Sequence, residues 1–428
     1  MKEIKPLKRL KATVRLPGSK SYSQRALVLA SLAQGESSLR NVLIAEDTEY
    51  LAEALRLLGA GITKRDEEVI VLGTGGRIKN PGQPLFLGNN GTALRFLTSV
   101  SSLGEGRITL TGEPRLCERP AQPLLEALAT LGVSCHTEEE RGFPPVTIDA
   151  QGLSGGKVIF TDVASSQYVS SLLISAPYAR GDVQIGLRGR TVSQPYIAMT
   201  LEAMRLFGAE VQEAGQGDYL VRSGQPYRGR SYGVEGDAST ASYFFLAAAL
   251  CRGRVQVLNI NPRSLQGDIK FLEVLEDWGC QVTRGEDRVE VRGRELTPGD
   301  LTIDMGDMPD MVPTLAVLAA FRPGRTEIRN VAHLRIKESN RIAALVSELH
   351  RTGSGAEELP DGLVIRGGRL QGAEIETYND HRIAMSFAIA GLAVPGIRIK
   401  NPGCVKKSFP GFWEELEKLR TGKVISKT

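Results

Sequence analysis

Lys20 and Arg25 stand at the start of a long apolar segment, in the stretch LPGSKSYSQRALVLASLA. The cluster Gly18–Ser21 looks like a phosphate-binding P-loop, but that motif requires a Gly directly before its Lys and another Gly five residues before that one. Ser19 and Val14 occupy those two positions, so the stretch is not a nucleotide-binding loop. Helix N termini carry a partial positive charge and favour acidic neighbours. A Lys and an Arg at this place therefore indicate that an anion lies between them and the helix end.

Basic residues at or near a polar helix start recur along the chain. Arg pairs with carboxylate or phosphate through two parallel hydrogen bonds, whereas Lys acts as a point charge or a proton carrier. N-capping explains the Ser, Thr, Asn and Asp residues at these helix starts, but it does not explain basic residues there. The pattern predicts a small ligand with several negative charges. The further basic residues at or near such starts are Arg95, Arg119, Lys337, Arg341, Arg382, Lys406 and Lys407.

Two acidic residues lie among these cations, Asp310 in MPDMVP and Glu338 in RIKESNR. An acid that is held among cations stays ionised and can serve as a base, and an acid beside Lys337 can exchange protons with a bound substrate. A solvated helix start explains Lys337 and Glu338 equally well when they are considered alone. Both interpretations of that pair stay open at this point.

Composition argues against several classes of protein. The net charge is +4 and aromatic residues make up 6% of the chain, without the basic stripe and interleaved aromatics of a nucleic-acid binder. The five cysteines form no CxxC pair, which indicates reduced thiols and a cytoplasmic protein. The N-terminal stretch shows no signal-peptide pattern, and no run of about 18 apolar residues occurs. The segment DMGDMPD lacks the Gly and distal Glu of a calcium loop. We therefore expect no membrane or nucleic-acid partner and no metal.

Internal repetition predicts the architecture. Six stretches, such as NNGTALRFLTSVSSLGEGRITLTG and GDASTASYFFLAAALCRGRVQVLN, start roughly 70 residues apart and run from a polar cluster through an apolar helix into an alternating strand. A second helix with i, i+3, i+4 periodicity follows in each unit. Four of these helices close on Gly59, Gly132, Gly208 or Gly279, as a left-handed helix C terminus favours.

The first helix of each unit has almost no polar face, so it should be buried on all sides. We therefore expect six α/β units, three per domain, with the helices inside and the sheets around them. The break between domains is predicted near Gly233 to Gly236.

The ordered set of motifs resembles one enzyme family. LPGSKSYSQRAL, GNNGTALR, GEPRLCERP, SSQYVSSLL, VSQPYI, RIKESNRI, YNDHRIAM and KKSFPGFW, between residues 16 and 413, are together similar to the 5-enolpyruvylshikimate-3-phosphate synthases. The resemblance implies transfer of the enolpyruvyl group of phosphoenolpyruvate to the 5-hydroxyl of shikimate 3-phosphate by addition–elimination, with release of phosphate, in the shikimate pathway to aromatic amino acids. It implies these two small-molecule substrates, a monomer, and no metal or organic cofactor.

The resemblance also implies the fold and its division. The expected fold is a two-lobed inside-out α/β barrel with six βαβαββ repeats, three per domain. Residues 1–20 and 236–428 would form the first lobe, and residues 21–235 the second.

The resemblance implies roles for individual residues when they are carried over by position. Lys20, Asp310 and Glu338 would be catalytic: Lys20 touches both substrates, Asp310 accepts the 5-hydroxyl proton and Glu338 serves the methylene carbon. The shikimate 3-phosphate site would comprise Lys20, Ser21, Arg25, Ser165, Ser166, Gln167, Ser193, Tyr196, Asp310, His333 and Lys337. The phosphoenolpyruvate site would comprise Lys20, Asn89, Gly91, Thr92, Arg119, Gln167, Arg341, His381, Arg382 and Lys407.

Three residues depart from the family pattern. His333 stands where many members have Asn, Asn90 where Ala or Ser is common, and Gln194 where Lys is frequent. The departure at His333 affects one expected contact with shikimate 3-phosphate.

Two alternatives remain. The related UDP-N-acetylglucosamine enolpyruvyl transferases place a reactive Cys in the loop before an Arg-Pro pair, and Cys117 precedes Arg119–Pro120 in this way. Glu118 directly after that Cys, and the Ser21 and Arg25 pair, favour the shikimate enzyme. The other alternative is a repeat scaffold that binds acidic partners, which predicts exposed basic residues without Asp310 and Glu338 among them.

Overall fold

A computed structural model describes residues 1–215 and 217–421 of the chain. Gln216 and residues 422–428, which the expected domain ranges include, lie outside the described residues. The chain divides into two compact units. Lys20–Val234 forms the insert unit, and Met1–Ser19 with the chain from Glu235 onward forms the terminal unit. Across the part of the chain that is described, no helix combines the length and apolar character needed to span a membrane.

The strands of the described residues are short, and several of them alternate between more and less buried side chains, as in β-strands with one face on a core. In chain order they are β1 Lys2–Glu3, β2 Lys11–Arg15, β3 Glu36–Arg40, β4 Gly61–Arg65, β5 Glu68–Leu72, β6 Leu85–Phe86, β7 Gly106–Thr111, β8 Ser134–Thr137, β9 Val146–Ala150, β10 Gly156–Val163, β11 Val183–Thr191, β12 Val211–Glu213, β13 Asp218–Val221, β14 Ser231–Gly233, β15 Arg254–Leu258, β16 Gln281–Arg284, β17 Arg288–Arg292, β18 Leu301–Asp304, β19 Gly324–Arg329, β20 Gly355–Leu359, β21 Gly362–Gly367, β22 Glu374–Ile375 and β23 Arg398–Ile399.

Helices connect these strands. The α-helices are α1 Lys20–Leu32, α2 Glu46–Leu57, α3 Gly91–Ser101, α4 Gln122–Thr130, α5 Ser166–Ser175, α6 Gln194–Leu206, α7 Ala238–Leu250, α8 Phe271–Asp277, α9 Val312–Phe321, α10 Arg341–Arg351, α11 His381–Ala390 and α12 Phe412–Thr421. Short 3₁₀ helices cover Leu116–Glu118, Glu138–Glu140, Ala176–Tyr178, Gly267–Lys270, Pro309–Met311, Ala332–Ile336 and Pro402–Lys407.

The three sheets of the insert unit share one plan. Their strand orders are β14-β3-β5-β4, β6-β7-β9-β8 and β10-β11-β13-β12. In each sheet the first two strands are parallel, and the last three are joined by antiparallel pairing. A parallel pair requires a crossover connection, and α3 and α5 supply it in the second and third sheets. In the first sheet the outer parallel strand β14 comes from the end of the unit, so the chain closes the unit on itself.

The terminal unit repeats this plan. Its strand orders are β2-β15-β17-β16, β18-β19-β21-β20 and β22-β23-β1, with β2–β15, β18–β19 and β22–β23 as the parallel pairs. The whole insert unit lies in sequence between β2 and its partner β15. The third sheet differs from the expected βαβαββ pattern, because among the described residues its antiparallel part consists of β1 alone, which pairs with β23.

Buried helices form the centre of each unit. In the insert unit these are α1, α3 and α5, and in the terminal unit α7, α9 and α11, each with nearly all of its residues buried. Hydroxyl groups 72 residues apart meet where the helices pack: Ser242 Oγ lies 3.1 Å from Thr314 Oγ1, and Ser99 Oγ lies 2.6 Å from Ser171 Oγ. The predicted repeat length is thus present as contacts between equivalent helix positions.

The predicted glycine ends of the second helices are confirmed. Gly59, Gly132, Gly208 and Gly279 have φ values of 109°, 81°, 95° and 96°. A side chain would strain this left-handed backbone, which is why Gly ends these helices. Each of these turns leads the chain toward the antiparallel strands of its sheet.

Candidate active site

Lys20 is the first residue of α1, and its Nζ lies 3.4 Å from Asp47 Oδ2. The two side chains are only 14% and 5% exposed. Asn90 ties the neighbouring helix starts together, because its Nδ2 donates to Gln24 Oε1 at 2.9 Å and to the Asp47 carbonyl at 2.7 Å. Its Oδ1 also accepts from the backbone N–H of Ala93 and so caps α3. The N termini of α1, α2 and α3 therefore lie together, with Lys20 at their edge.

Arg25, one turn further along α1, is buried among neutral groups. Its guanidinium donates to Thr200 Oγ1 at 2.8 Å, to the Ser21 carbonyl at 3.0 Å and to the Tyr196 carbonyl at 2.9 Å, and it lies 5.3 Å from the centre of the Phe96 ring. Burial lowers the pKa of Arg25 to about 10, so the group is still a cation at neutral pH. A guanidinium has five N–H donors, and two remain beyond these three bonds. A buried cation with only neutral partners is a site that an anion would stabilise.

Arg119 lies against the first residue of α3. A Cβ built on Gly91 would be 2.4 Å from Arg119 Cζ, so only Gly permits this approach. Arg119 is buried, and its Nε and Nη1 have no hydrogen-bond partner among the described residues. The following carbonyl, that of Pro120, accepts hydrogen bonds from Arg95 at 2.7 Å and from Tyr168 at 2.9 Å. The chain thus fixes an unsatisfied guanidinium at a helix N terminus, where anions bind favourably.

Hydroxyl groups surround the starts of α5 and α6. Ser165 caps α5, since its Oγ accepts from the Gln167 N–H at 3.3 Å, and Gln167 Nε2 donates to Thr92 Oγ1 at 3.0 Å. Ser166 is the first residue of α5 and is buried. Ser193 precedes α6 with a φ of 58°, a left-handed conformation that non-Gly residues adopt mainly at functional or tightly constrained positions. These hydroxyls can donate to a phosphate.

In the terminal unit, Arg341 at the start of α10 joins three carboxylates. Its guanidinium donates to Asp310 at 2.9 Å, to Glu338 at 2.8 Å and to Asp380 at 2.8 Å. Arg341 is 1% exposed. Burial lowers the pKa of Arg341, but the charges of Asp380, Glu338 and Asp310 outweigh burial and raise it above its ordinary value. The two predicted acids are therefore held at fixed positions by one guanidinium.

Arg382, the second residue of α11, completes this cluster. Its Nη2 donates to Asp310 Oδ2 at 2.7 Å and lies 3.3 Å from Ser239 Oγ, while Nη1 lies 3.5 Å from Tyr243 Oη. Burial raises the pKa of Tyr243 to about 12, and the charge of Arg382 opposes this. Asp310 thus accepts charge-assisted hydrogen bonds from two guanidinium groups, one on each carboxylate oxygen.

The remaining predicted residues have these positions. His333 is buried in the 3₁₀ helix Ala332–Ile336, which Lys337 follows, and Lys407 is buried at the end of Pro402–Lys407. His381 is buried at the start of α11, with its Nδ1 3.8 Å from Asp380 Oδ1. Asn89 is buried directly before the α3 cap.

Several residues of the clusters were missed by the sequence analysis. Asp47, Thr200 and Asp380 contact Lys20, Arg25 and Arg341 directly. Asp380 had a local signal, because Asp before a helix start is a favoured cap, and its Oδ1 accepts from the Arg382 N–H at 2.9 Å. No spacing in the sequence connects Thr200 with Arg25. The described residues contain no group of three or more His, Cys, Asp and Glu side chains arranged to hold a metal ion.

Comparison with known proteins decides the family. Residues 4–416 match the family model of EPSP synthase (3-phosphoshikimate 1-carboxyvinyltransferase). The chain belongs to the EPSP synthase family. It is 46% identical to the 3-phosphoshikimate 1-carboxyvinyltransferase of Syntrophobacter fumaroxidans, over 98% of this chain and 100% of that protein. It is also 46% identical to the enzyme of that name from Nostoc punctiforme, over 96% and 97%.

Solved EPSP synthases share its fold. The structure of EPSP synthase from Acinetobacter baumannii matches with a TM-score of 0.81 and 28% identity, over 99% of this chain and 98% of that one. The predicted inside-out α/β fold is confirmed, and the third sheet of the terminal unit is a shortened version of the repeat.

The EPSP synthase assignment also confirms the predicted enzyme class and reaction, enolpyruvyl transfer to shikimate 3-phosphate in the shikimate pathway. It does not favour the UDP-N-acetylglucosamine alternative. Cys117 is a free thiol in the 3₁₀ helix Leu116–Glu118, 3.7 Å from the Gly112 carbonyl. Arg115 in the same loop pairs with Glu118 at 2.7 Å.

Proposed function

We propose that this chain transfers the enolpyruvyl group of phosphoenolpyruvate to the 5-hydroxyl of shikimate 3-phosphate with the residues described above. The observation that carries this assignment of residues is the buried guanidinium of Arg119. Two of its nitrogen atoms, Nε and Nη1, lack a partner among the described residues, and the guanidinium lies against Gly91 at the N terminus of α3. Such a group has a strong preference for a carboxylate or phosphate over water or a neutral ligand.

Phosphoenolpyruvate is proposed to bind Arg119 and the helix start that follows Asn89. Gln167 and Thr92, which hydrogen-bond to each other at 3.0 Å, contribute neutral donors beside this guanidinium. The family resemblance also assigns Lys20, Arg341, His381, Arg382 and Lys407 to this ligand. Of these, Arg341 and Arg382 are paired with Asp310, so binding of the ligand and placement of the base are linked.

Shikimate 3-phosphate is proposed to bind the hydroxyl-rich helix starts. Arg25 has two N–H donors beyond its three neutral partners, and with Ser21 it would hold the carboxylate. The 3-phosphate would accept from Ser165, Ser166 and Ser193, with Gln167 and Tyr196 beside them. The family resemblance also assigns Lys337, His333 and Asp310 to this substrate.

The chemistry is an addition followed by an elimination. The 5-hydroxyl oxygen attacks C2 of phosphoenolpyruvate while Asp310 accepts the hydroxyl proton, and Glu338, which enters this step in its protonated form, delivers that proton to C3. The tetrahedral intermediate then returns a C3 proton to Glu338 as the bond from C2 to the phosphate oxygen breaks. The proton on Asp310 leaves with phosphate, so the vinyl ether and phosphate are the products. Lys20 stabilises the negative charge that develops on the departing phosphate.

We further propose that the enzyme acts in the cytoplasm as a monomer, without a metal or organic cofactor and without a nucleic-acid partner. Five free thiols support a reducing compartment. Light scattering on the eluting protein would give the mass of one chain if this is correct. A dimer mass at working concentration would contradict the monomer.

Phosphate release tests the proposed function. The purified full chain is incubated with phosphoenolpyruvate and shikimate 3-phosphate, with phosphoenolpyruvate and UDP-N-acetylglucosamine, or with phosphoenolpyruvate alone. We expect release only in the first mixture, with a drop of at least about a hundredfold in Arg119→Ala, since a lost charged donor has that scale. Arg115→Ala is the matched control, because Arg115 lies in the same loop but pairs with Glu118. Equal loss in both variants, or release with the UDP-sugar, would refute the assignment.

A further inference from the structure

A fully buried carboxyl group lies behind the Arg382 cluster of the terminal unit. Asp268 belongs to the 3₁₀ helix Gly267–Lys270 and is 4% exposed. Its Oδ2 accepts a hydrogen bond from Ser239 Oγ, and its Oδ1 has no partner among the described residues. Buried carboxyl groups without full hydrogen bonding reduce stability and call for an explanation. The family motifs and the proposed roles above do not include Asp268.

The contacts of Ser239 connect Asp268 to the site. A hydroxyl has one proton to donate, and Asp268 takes it, so the lone pairs of Ser239 Oγ are directed elsewhere. Arg382 Nη2 lies 3.3 Å from that oxygen and donates to it. The same Nη2 donates to Asp310 Oδ2 at 2.7 Å. Hydrogen bonds therefore join Asp268, Ser239, Arg382 and Asp310 in a series, in which Arg382 donates both to Asp310 and to Ser239, and Ser239 donates to Asp268 at the buried end.

We propose that Asp268 is a positioning residue for the enolpyruvyl transfer: by fixing the Ser239 hydroxyl as an acceptor, it holds the Arg382 guanidinium in place against Asp310. Without the carboxyl group the Ser239 hydroxyl would rotate, and its proton could face Arg382 and repel it. This inference rests on the proposed function, because it takes Arg382 as a phosphoenolpyruvate contact.

Gln266, two residues before Asp268, has a purely structural role instead. Gln266 anchors the segment to the start of α7, since its Oε1 accepts from the Ala238 N–H at 3.1 Å and its Nε2 donates to the Gly236 carbonyl at 2.9 Å. Gln266 makes no described hydrogen bond to Ser239 or Arg382. Gln266 thus binds the backbone at the start of α7, whereas Asp268 binds the Ser239 side chain on the same helix.

The electrostatic surroundings of Asp268 fit this role. Burial raises the pKa of Asp268 to about 7, and the charge of Asp310 adds to the rise, while Arg382 and the hydrogen bond from Ser239 lower it. Asp237, ahead of α7, adds further negative charge. Besides burial, the charges of Asp310 and Arg382 thus act on the Asp268 carboxyl group, which makes it sensitive to the position of that guanidinium.

The test compares kinetics of four variants of the full chain: Asp268→Ala, Asp268→Asn, Ser239→Ala and Gln266→Ala. The KM for each substrate is measured with the other saturating. We expect Asp268→Ala and Ser239→Ala each to lower kcat/KM for phosphoenolpyruvate at least about tenfold through a higher KM, because small misplacement of a binding group has such effects. Asp268→Asn can still accept the Ser239 proton, so it should recover most of the loss. Gln266→Ala should change kcat/KM less than about threefold, since it acts on helix anchoring alone.

The double variant Ser239→Ala with Asp268→Ala supplies the decisive comparison. If both residues act through one link, the double variant is no worse than the poorer single variant. Multiplied losses, an unchanged KM for phosphoenolpyruvate in both single variants, or a fall in kcat alone that Gln266→Ala reproduces would overturn the proposal. Should Asp268→Ala fail to fold, Ser239→Ala still decides. A wild-type chain without phosphate release would instead contradict the proposed function.

Discussion

The substitution Gly91→Ala should disturb ligand binding at the start of α3 without disturbing the fold. The added Cβ would lie 2.4 Å from Arg119 Cζ, 2.5 Å from Nη2 and 2.6 Å from Nη1. Non-bonded heavy atoms prefer about 3.5–4.0 Å, so the guanidinium must move by about 1 Å or more. The atoms that must move are the far end of a long side chain, so the fold should accept the change. The substitution should instead weaken the binding of the ligand that Arg119 contacts.

The expected loss follows from that displacement. Misplacement of a binding group by about 1 Å can lower catalytic efficiency by about a hundredfold. We expect Gly91→Ala to raise the KM for phosphoenolpyruvate about 10- to 100-fold, with a smaller change in kcat and an unchanged KM for shikimate 3-phosphate. Phosphate release at varied phosphoenolpyruvate concentration measures this, and thermal unfolding checks that the fold is intact.

Two controls make the result decisive. Gly368→Ala adds a Cβ that would meet nothing within 4 Å, and it should leave both KM values unchanged. The double variant Gly91→Ala with Arg119→Ala should be no worse than Arg119→Ala alone, because the clash needs the guanidinium. A normal KM for phosphoenolpyruvate in Gly91→Ala, or further loss in the double variant, would refute the reasoning.

Three other substitutions test the proposed roles. Lys20→Met should lower turnover at least about a hundredfold in a folded protein, and near-normal phosphate release would remove Lys20 from catalysis. Glu338→Gln should slow deuterium exchange into the vinyl group of phosphoenolpyruvate, as NMR would show, and an unchanged exchange rate would contradict its role at C3. Cys117→Ser should keep most activity: Arg115 and Arg119 lie in the same loop, and neighbouring cations can make a thiol reactive, but reactivity alone does not make it catalytic. Loss of all turnover together with a covalent adduct would favour the UDP-sugar reaction.

The architecture could be predicted because each repeat carries its own signals. Polar helix starts, apolar helices and Gly ends are local patterns, and four predicted Gly ends have positive φ values. The shortened third sheet of the terminal unit could not be predicted in the same way. Its strand β1 belongs to the N terminus yet pairs with β23, nearly 400 residues later in the chain. Such pairing depends on the assembled unit and leaves no local spacing.

Contacts within the site show the same limit. Basic residues were found because their type conflicts with the helix dipole, whereas their partners have ordinary side chains at unremarkable positions. Thr200 lies 175 residues from Arg25 in the sequence, and Asp380 lies 39 residues from Arg341. Asp47 stands in the first turn of α2, where acids are common for helix stability alone. Only the packed helix starts reveal which acid meets which base.

Two buried arginines, one in each unit, have different partners, and this difference predicts how ligand binding changes the melting temperature. Arg341 has three carboxylate partners, whereas the described hydrogen bonds of Arg25 go to neutral oxygens only. A desolvated charge without a counter-charge lowers stability, so Arg25→Met should leave the melting temperature of the empty enzyme unchanged or higher. A ligand at about a hundred times its Kd stabilises by about 2.7 kcal/mol. Shikimate 3-phosphate should therefore raise the melting temperature of the wild type in calorimetry but not that of Arg25→Met at the same concentration. An equal shift in both proteins would show that Arg25 does not hold the substrate carboxylate.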